Sequence, residues 1–328
     1  GAFIEILQRD VERITVARSS SELCSMGAAA ITTTGFNLDR KRMSDLLGFA
    51  APLENSYGCI SSVDYVTGLY SALKVMFLNM GRFIQDLAQR SAFEVGHIYV
   101  PNEFVQISSI MPQKRNPVPI EHMRLIASLS SGHCDTIINT MHNTPFTDMN
   151  DSETEVQRAG HQAFESGSRL LLLLTDFINV VQIDEEKVMK DIGKSCATIT
   201  EVADSIARIE GVSFKIAHEI AGDMAKRVTA DEITLEDFVY KEFQDIYRDH
   251  TGMETNITIE KLKEIGSPDY FIAVRKIIGG PALPAFEASL EKYCNIALKQ
   301  SDENLTFSRR LIFARELLTA AVKKLRVK

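Results

Sequence analysis

The chain has 328 residues, 45% hydrophobic and 24% charged, with a formal net charge of −8: enough apolar residues for a sizeable core and enough length for two domains or one elongated one. An acidic balance without a basic stripe, zinc-finger spacing or RNA-type aromatic motif disfavours nucleic acid. No signal peptide or membrane span is visible, and the scattered cysteines Cys24, Cys59, Cys134, Cys196 and Cys294 form no C-x-x-C pair, which suggests reduced, mostly buried thiols in cytoplasm.

Residues 1–18 read as a helix, with Ile4, Leu7, Val11 and Ile14 on one face. The pattern reaches the first residue with no start signal ahead of it. The expectation is a chain that opens inside a helix, its beginning supplied by a longer parent sequence. Residues 19–58 lose the period, and Ser19-Ser20-Ser21, Gly27 and Gly35 mark loops. Gly27-Ala28-Ala29-Ala30 before Thr32-Thr33-Thr34-Gly35 is small and polar enough for close backbone approach, although such a stretch is more often a connector. A long helix is predicted over 62–93. There Val66, Leu69, Leu73, Met76, Met80, Phe83 and Leu87 recur by threes and fours, and Phe77 and Ile84 widen the stripe. A methionine and aromatic stripe of this kind is core rather than a cofactor site.

Residues 106–121, QISSIMPQKRNPVPIE, are of a different kind. Ser108 and Ser109 open the stretch, Pro112 interrupts any regular element, and Lys114 and Arg115 bring two cations. Asn116-Pro117 reads as an N-cap followed by a proline at the first helical position. Ile120, Met123 and Ile126 continue at helical spacing. A polar loop therefore enters a helix N-terminus, where free N–H groups and partial positive charge suit an anion. A surface turn capping a helix has the same composition.

The next helix is predicted over 117–142. On it His122 and His133 read as satisfied or exposed histidines, and Cys134 has no partner at zinc spacing, so no metal is expected. The polar turn at 142–151 lacks the glycine and terminal glutamate of a calcium loop. Another long helix is predicted over 153–181. Beyond Asp184-Glu185 short helices replace long ones. Thr198-x-x-Glu201 reads as a capping box, Ser213 as an N-cap, and Thr234-Leu235-Glu236-Asp237 as the start of a further helix. Gly266-Ser267-Pro268 and Gly279-Gly280-Pro281 are breaks. A helical tail follows over 284–325, interrupted near Ser301-Asp302-Glu303-Asn304. A boundary near residue 190 separates a central domain, 1–190, from a C-terminal helical domain, 191–328.

The string Ser108-Ser109-x-Met111-Pro112-x-Lys114-x-Asn116-Pro117 fixes many positions in a short span. It resembles the signature of the fumarase/aspartase/argininosuccinate lyase superfamily, and Gln113-Lys114 is similar to the argininosuccinate lyases in particular. Asp39-Arg40, Leu46-Leu47-Gly48-Phe49 and Asn55-Ser56 extend the likeness, which runs from about residue 15 to residue 281. The resemblance implies an all-α fold, in which long central helices assemble into a homotetramer with active sites shared between subunits, beside a smaller helical C-terminal domain. It implies a cytoplasmic carbon–nitrogen lyase that eliminates an amine from an N-succinyl-type, argininosuccinate-like small molecule and releases fumarate. No cofactor, metal, membrane or nucleic acid is implied. Carried over by position, Ser108 is the base, its oxyanion stabilised by loop N–H groups and Lys114. Lys114 and Asn116 hold the substrate carboxylates with Ser109 beside them. Glu121 orients the histidine that protonates the leaving nitrogen, and Asn150, in the turn after the helix, contacts substrate. The plain alternative for Glu121 is a first-turn carboxylate favoured by the helix dipole.

Three departures from the family pattern matter. The Thr-x-His stretch that carries the proton-donating histidine is absent, as is the N-terminal domain with its Arg-Asn pair. The tyrosine, glutamine and lysine expected after the second helix become Pro145, Asn150 and Glu153. An arginine expected after Ser61-Ser62 is Val63. The elimination machinery fits while the argininosuccinate-specific contacts do not, which points to a different amine half. The alternative functions are a non-catalytic, crystallin-like assembly or a lyase for another aminocarboxylic acid adduct of fumarate. The Ser108, Lys114, Asn116 and Glu121 set favours an enzyme, since packing has no need of it.

Overall fold

The computed structural model describes residues 1–150 and 153–326. In chain order, α1 (Ala2–Ser21) leads through β1 (Leu23–Cys24), α2 (Arg40–Leu47), β2 (Ala51–Pro52) and α3 (Gly58–Ser61) to α4 (Asp64–Arg90). Then come β3 (Ile98–Tyr99), β4 (Gln106–Ile107), β5 (Arg115–Asn116), α5 (Val118–Met141), α6 (Glu153–Val180) and β6 (Gln182–Ile183). The short helices α7 (Glu185–Lys194), α8 (Ile199–Glu210), α9 (Phe214–Asp231), α10 (Tyr240–Thr251), α11 (Ile259–Gly266) and α12 (Pro268–Ala273) precede α13 (Leu283–Arg326). The chain adopts the expected all-α class, and its strands are two-residue pairings between loops. Among the described residues no helix is long and apolar enough to cross a membrane.

Two compact units form. The first takes in Gly1–Ala92, Val100–Val181 and Lys292–Lys328, and the second Phe93–Tyr99 and Gln182–Glu291. The last helix thus contributes its stretch from Lys292 to the first unit, so a single cut near residue 190 does not separate the two. That helix is unbroken. Ser301-Asp302-Glu303-Asn304 contains neither glycine nor proline, and such polar residues cost a helix only a few tenths of a kcal/mol each.

In the first unit the predicted stripe of α4 faces inward. Leu73, Met76, Phe77, Met80, Ile84 and Leu87 are buried, while Val66, Leu69 and Phe83 are half-buried. Phe83 stacks on Phe3 of α1 with ring centroids 3.9 Å apart. Asp10, 1% exposed, accepts both hydrogen bonds of the Asn79 amide at 3.0 and 3.1 Å and pairs with Arg13. It joins α1 to α4 without leaving a charge unpartnered. On α5, Ile120, Met123, Ile126, Cys134 and Ile137 are buried. Burial, with Asp135 next to it, pushes the Cys134 thiol up to about 12, so it stays protonated and inert.

Two glycines of α6 make room for aromatic rings of α4. A Cβ on Gly160 would stand 2.2 Å from the Tyr70 hydroxyl, and one on Gly167 would stand 2.5 Å from the tip of the buried Phe77 ring. Both pairs repeat two helical turns apart, so large residues of α4 fill gaps left by small ones of α6. Alanine ordinarily stabilises a helix over glycine by about 1 kcal/mol, but overpacking a full core costs about 1–3 kcal/mol. Gly167→Ala is therefore expected to lower stability, whereas Gly132→Ala, whose Cβ meets nothing within 4 Å, is expected to raise it. Denaturant midpoints of the two variants check this, and a stabilised Gly167→Ala would contradict the packing.

In the second unit, a core of Val202, Ile206, Ile220, Met224, Phe243, Tyr247, Leu262 and Ile265 gathers α8 to α11. Ser213 caps α9 as predicted, accepting from the Ile216 amide at 3.4 Å. The capping box does not form. Thr198 has helical dihedrals, and its hydroxyl donates to the Gly266 carbonyl at 2.7 Å. Glu201 turns inward instead, to Arg208, Arg275 and Ser205. Thr234 opens a turn rather than a helix. Its hydroxyl bonds Asp237, the flanking Leu235 and Phe238 are drawn into the core, and α10 starts only at Tyr240.

Candidate active site

The serine stretch folds as a β-hairpin. Gln106 pairs with Asn116 and Ile107 with Arg115, antiparallel, and residues 108–114 form the tip. Pro112 sits in the turn, closed by the Lys114 amide donating to the Met111 carbonyl at 2.9 Å. Asn116 is therefore not a helix cap. It belongs to β5, and its side-chain amide donates across the stem to the Gln106 carbonyl at 3.0 Å. The cap position falls on Pro117, and Val118 and Pro119 open α5.

Within the tip, the Ser108 oxygen accepts from the amide of Ile110 at 3.2 Å and from that of Met111 at 3.1 Å. Two backbone donors on one hydroxyl oxygen are what an alkoxide at that atom needs. Ser108 is half-buried, while Ser109 and Lys114 are exposed on the same tip. Glu121 is exposed in the first turn of α5. One contact was not anticipated. Arg115, between the two residues assigned to the carboxylates, donates to the Val100 carbonyl at 2.6 Å and to Asn102. Its alternation with Lys114 and Asn116 along a strand was the available signal.

Asn150 is exposed at the other end of the bundle. It follows the C-terminus of α5, whose 24 residues span about 36 Å at 1.5 Å per residue. The turn there is braced by Tyr57, whose hydroxyl donates to the Phe146 carbonyl at 2.7 Å and whose ring stacks on Phe146 at 5.5 Å. Asp151 and the side chain of Glu153 lie outside the described residues. Within one chain the fold brings together Ser108, Ser109, Lys114 and Asn116, with Glu121 just beyond the hairpin, but not Asn150.

Two histidines are engaged within the second unit. His97 lies 3.0 Å from Asp191, and hydrogen bonds from Lys187 and then His97 hold that carboxyl below its usual range. His250 lies 2.9 Å from Asp223. His122 follows Glu121 directly and points about 100° round the helix from it. A cavity of about 510 Å³, lined by Val11, Phe77, Gly167 and Asn304 among others, contains none of the expected site residues. Among the described residues no three metal-ligating side chains cluster.

Residues 1–130 match the Lyase family model, and residues 196–273 match the argininosuccinate lyase C-terminal model. Argininosuccinate lyase 2 of Agrobacterium fabrum is 53% identical over 308 residues, 90% of this chain and 61% of that protein. An argininosuccinate lyase of Methanococcus maripaludis is 28% identical over 92% of this chain and 61% of its own length. The chain thus spans about three fifths of the relatives it matches. An EDDS lyase variant with bound fumarate superposes with a TM-score of 0.88 at 23% identity, over 98% of this chain and 64% of that one. A class II fumarase from Schistosoma mansoni superposes with a TM-score of 0.62 at 15% identity, over 81% and 56%. These two likenesses speak for the fold. Over residues 1–130 and 196–273 the chain is thus similar to the lyase and argininosuccinate lyase families.

Proposed function

We propose that this chain supplies the base and the carboxylate-holding groups of a carbon–nitrogen lyase that releases fumarate from an N-substituted aspartate. The observation that carries the reading is the Ser108 oxygen under the amides of Ile110 and Met111. Ionised Ser108 removes the proton from the carbon next to a substrate carboxylate. The electron pair moves onto that carboxylate as an aci-dianion, held by Lys114 and Asn116, with Ser109 beside them. It then returns to form the double bond as the carbon–nitrogen bond breaks, giving fumarate and an amine once the nitrogen takes a proton. Glu121 orients the histidine that delivers this proton. His122 points elsewhere, so the histidine comes from another segment or another copy.

Asn150 and the hairpin stand at opposite ends of α5, which supports an active site shared between subunits. The bundle helices also leave large apolar side chains in water, among them Leu125 and Leu129 of α5, Leu172 of α6, and Ile312 and Phe313 of α13. Burial is worth roughly 25 cal/mol per Å² of apolar surface, so a symmetric homotetramer that covers these faces is favoured.

The amine half is the open variable, since Pro145 and Asn150 stand where a tyrosine and a glutamine are expected. In the assembled enzyme, run in reverse with fumarate and a panel of amines, an amine other than arginine is expected to add fastest. A clear preference for arginine would return the substrate to argininosuccinate. No addition of any amine would remove the lyase reading.

A further inference from the structure

The hairpin that carries Ser108 is held by little packing. Its stem is two residue pairs, and no residue from Pro101 to Val118 is fully buried. A two-stranded hairpin without a packed face is marginal in water. The proposed chemistry nevertheless asks Ser108, Lys114 and Asn116 to keep their places closely, since a misplacement of about 1 Å can cost about 100-fold in rate. The cross-strand bond from Asn116 to Gln106 ties the hairpin only to itself.

Arg115 ties it to the body of the unit. Its guanidinium donates to the carbonyl of Val100, which is 6% exposed and so part of the core, and to Asn102, in the turn that follows. Successive strand residues take opposite faces. Arg115 thereby sits on the face away from Asn116, and it can hold the scaffold without occupying the side on which Asn116 stands. A planar fork reaches two acceptors at once, whereas an ammonium is a point charge on a flexible stem. The arrangement calls for a guanidinium rather than for positive charge alone.

We propose that Arg115 is a positioning residue for the elimination: its hold on Val100 and Asn102 fixes the hairpin stem, and through it the Ser108 oxygen and the two amides above it. The inference rests on reading Ser108 as the base. The experiment compares Arg115→Lys, Arg115→Ala, Asn102→Ala and Ser108→Ala. Turnover is measured in the assembled enzyme, and amide exchange of Ile110 and Met111 in this chain. Arg115→Lys is expected to lower kcat about 10-fold or more with KM changed by no more than about threefold. Melting temperature should stay put, and both amides should exchange faster than in the parent. Asn102→Ala should show a smaller loss of the same kind, and adding it to Arg115→Lys should cost little more, because the two share one contact. If Arg115→Lys keeps full kcat where Arg115→Ala loses it, charge alone is at work and the proposal is overturned. Unchanged kcat together with unchanged exchange also overturns it. Near-normal turnover of Ser108→Ala would instead remove the underlying reading of the base, and the exchange rates would then decide by themselves whether Arg115 holds the hairpin.

Discussion

Ser108→Ala in the assembled enzyme is expected to lower fumarate release by roughly 10²–10⁴-fold, the range for loss of a positioned base. A serine hydroxyl is a poor base at neutral pH unless its alkoxide is stabilised. Here the same oxygen accepts from the amides of Ile110 and Met111, and the methyl group of alanine can neither carry the charge nor use the donors. Among the described residues the Ser108 side chain hydrogen-bonds only within the hairpin tip, so stability and substrate binding should change little. The loss should then appear in kcat rather than KM. Ultraviolet absorbance of fumarate follows the reaction, and turnover within a few-fold of the parent would take Ser108 out of the role.

Glu201→Ala is expected to cost the second unit about 2–4 kcal/mol, just below the 3–5 kcal/mol of a fully buried pair because Arg208 is half exposed. The Glu201 carboxylate is 2% exposed. It accepts from Arg275 at 2.8 Å and Ser205 at 2.9 Å and also pairs with Arg208. Arg275 in turn holds the Phe271 carbonyl at 2.7 Å and lies over the Phe271 ring. Removing the carboxylate strands Arg275, whose side chain is 25% exposed, and loosens α12 against α8. At about 2–4 °C per kcal/mol for a unit of moderate size, the thermal midpoint should fall by roughly 4–16 °C. Calorimetry checks this, and a shift below a degree would mean that water replaces the carboxylate at little cost.

The helices of the first unit were legible in the chain because an amphipathic helix writes its own period. The stripe from Leu73 to Leu87 marks both the existence of α4 and the face it buries. The candidate site residues were legible for a different reason: Ser108, Lys114 and Asn116 stand in an unusual polar string that packing does not require. Local signals misled where tertiary contacts outbid them. Thr198-x-x-Glu201 has the spacing of a capping box, yet two arginines claim the glutamate because a buried carboxylate left unpaired costs more than an unmade cap is worth. Asn116 has the chemistry of a cap but serves the hairpin stem, since β4 is the nearer acceptor.

By itself, then, the sequence determined the helical class, the long bundle elements and the candidate residues of the proposed site, all of which follow from local period and residue type. The tertiary structure decided what depends on distance between remote residues. It closed the serine stretch into a hairpin with two amides on one oxygen. It recruited Arg115 to the carbonyl of Val100, matched Gly160 and Gly167 to Tyr70 and Phe77, and returned the last helix from Lys292 onward to the first unit. It also set Asn150 at the far end of α5 from Ser108, because a helix of that length is a rigid spacer and no periodicity in a sequence records which of its two ends meets which partner.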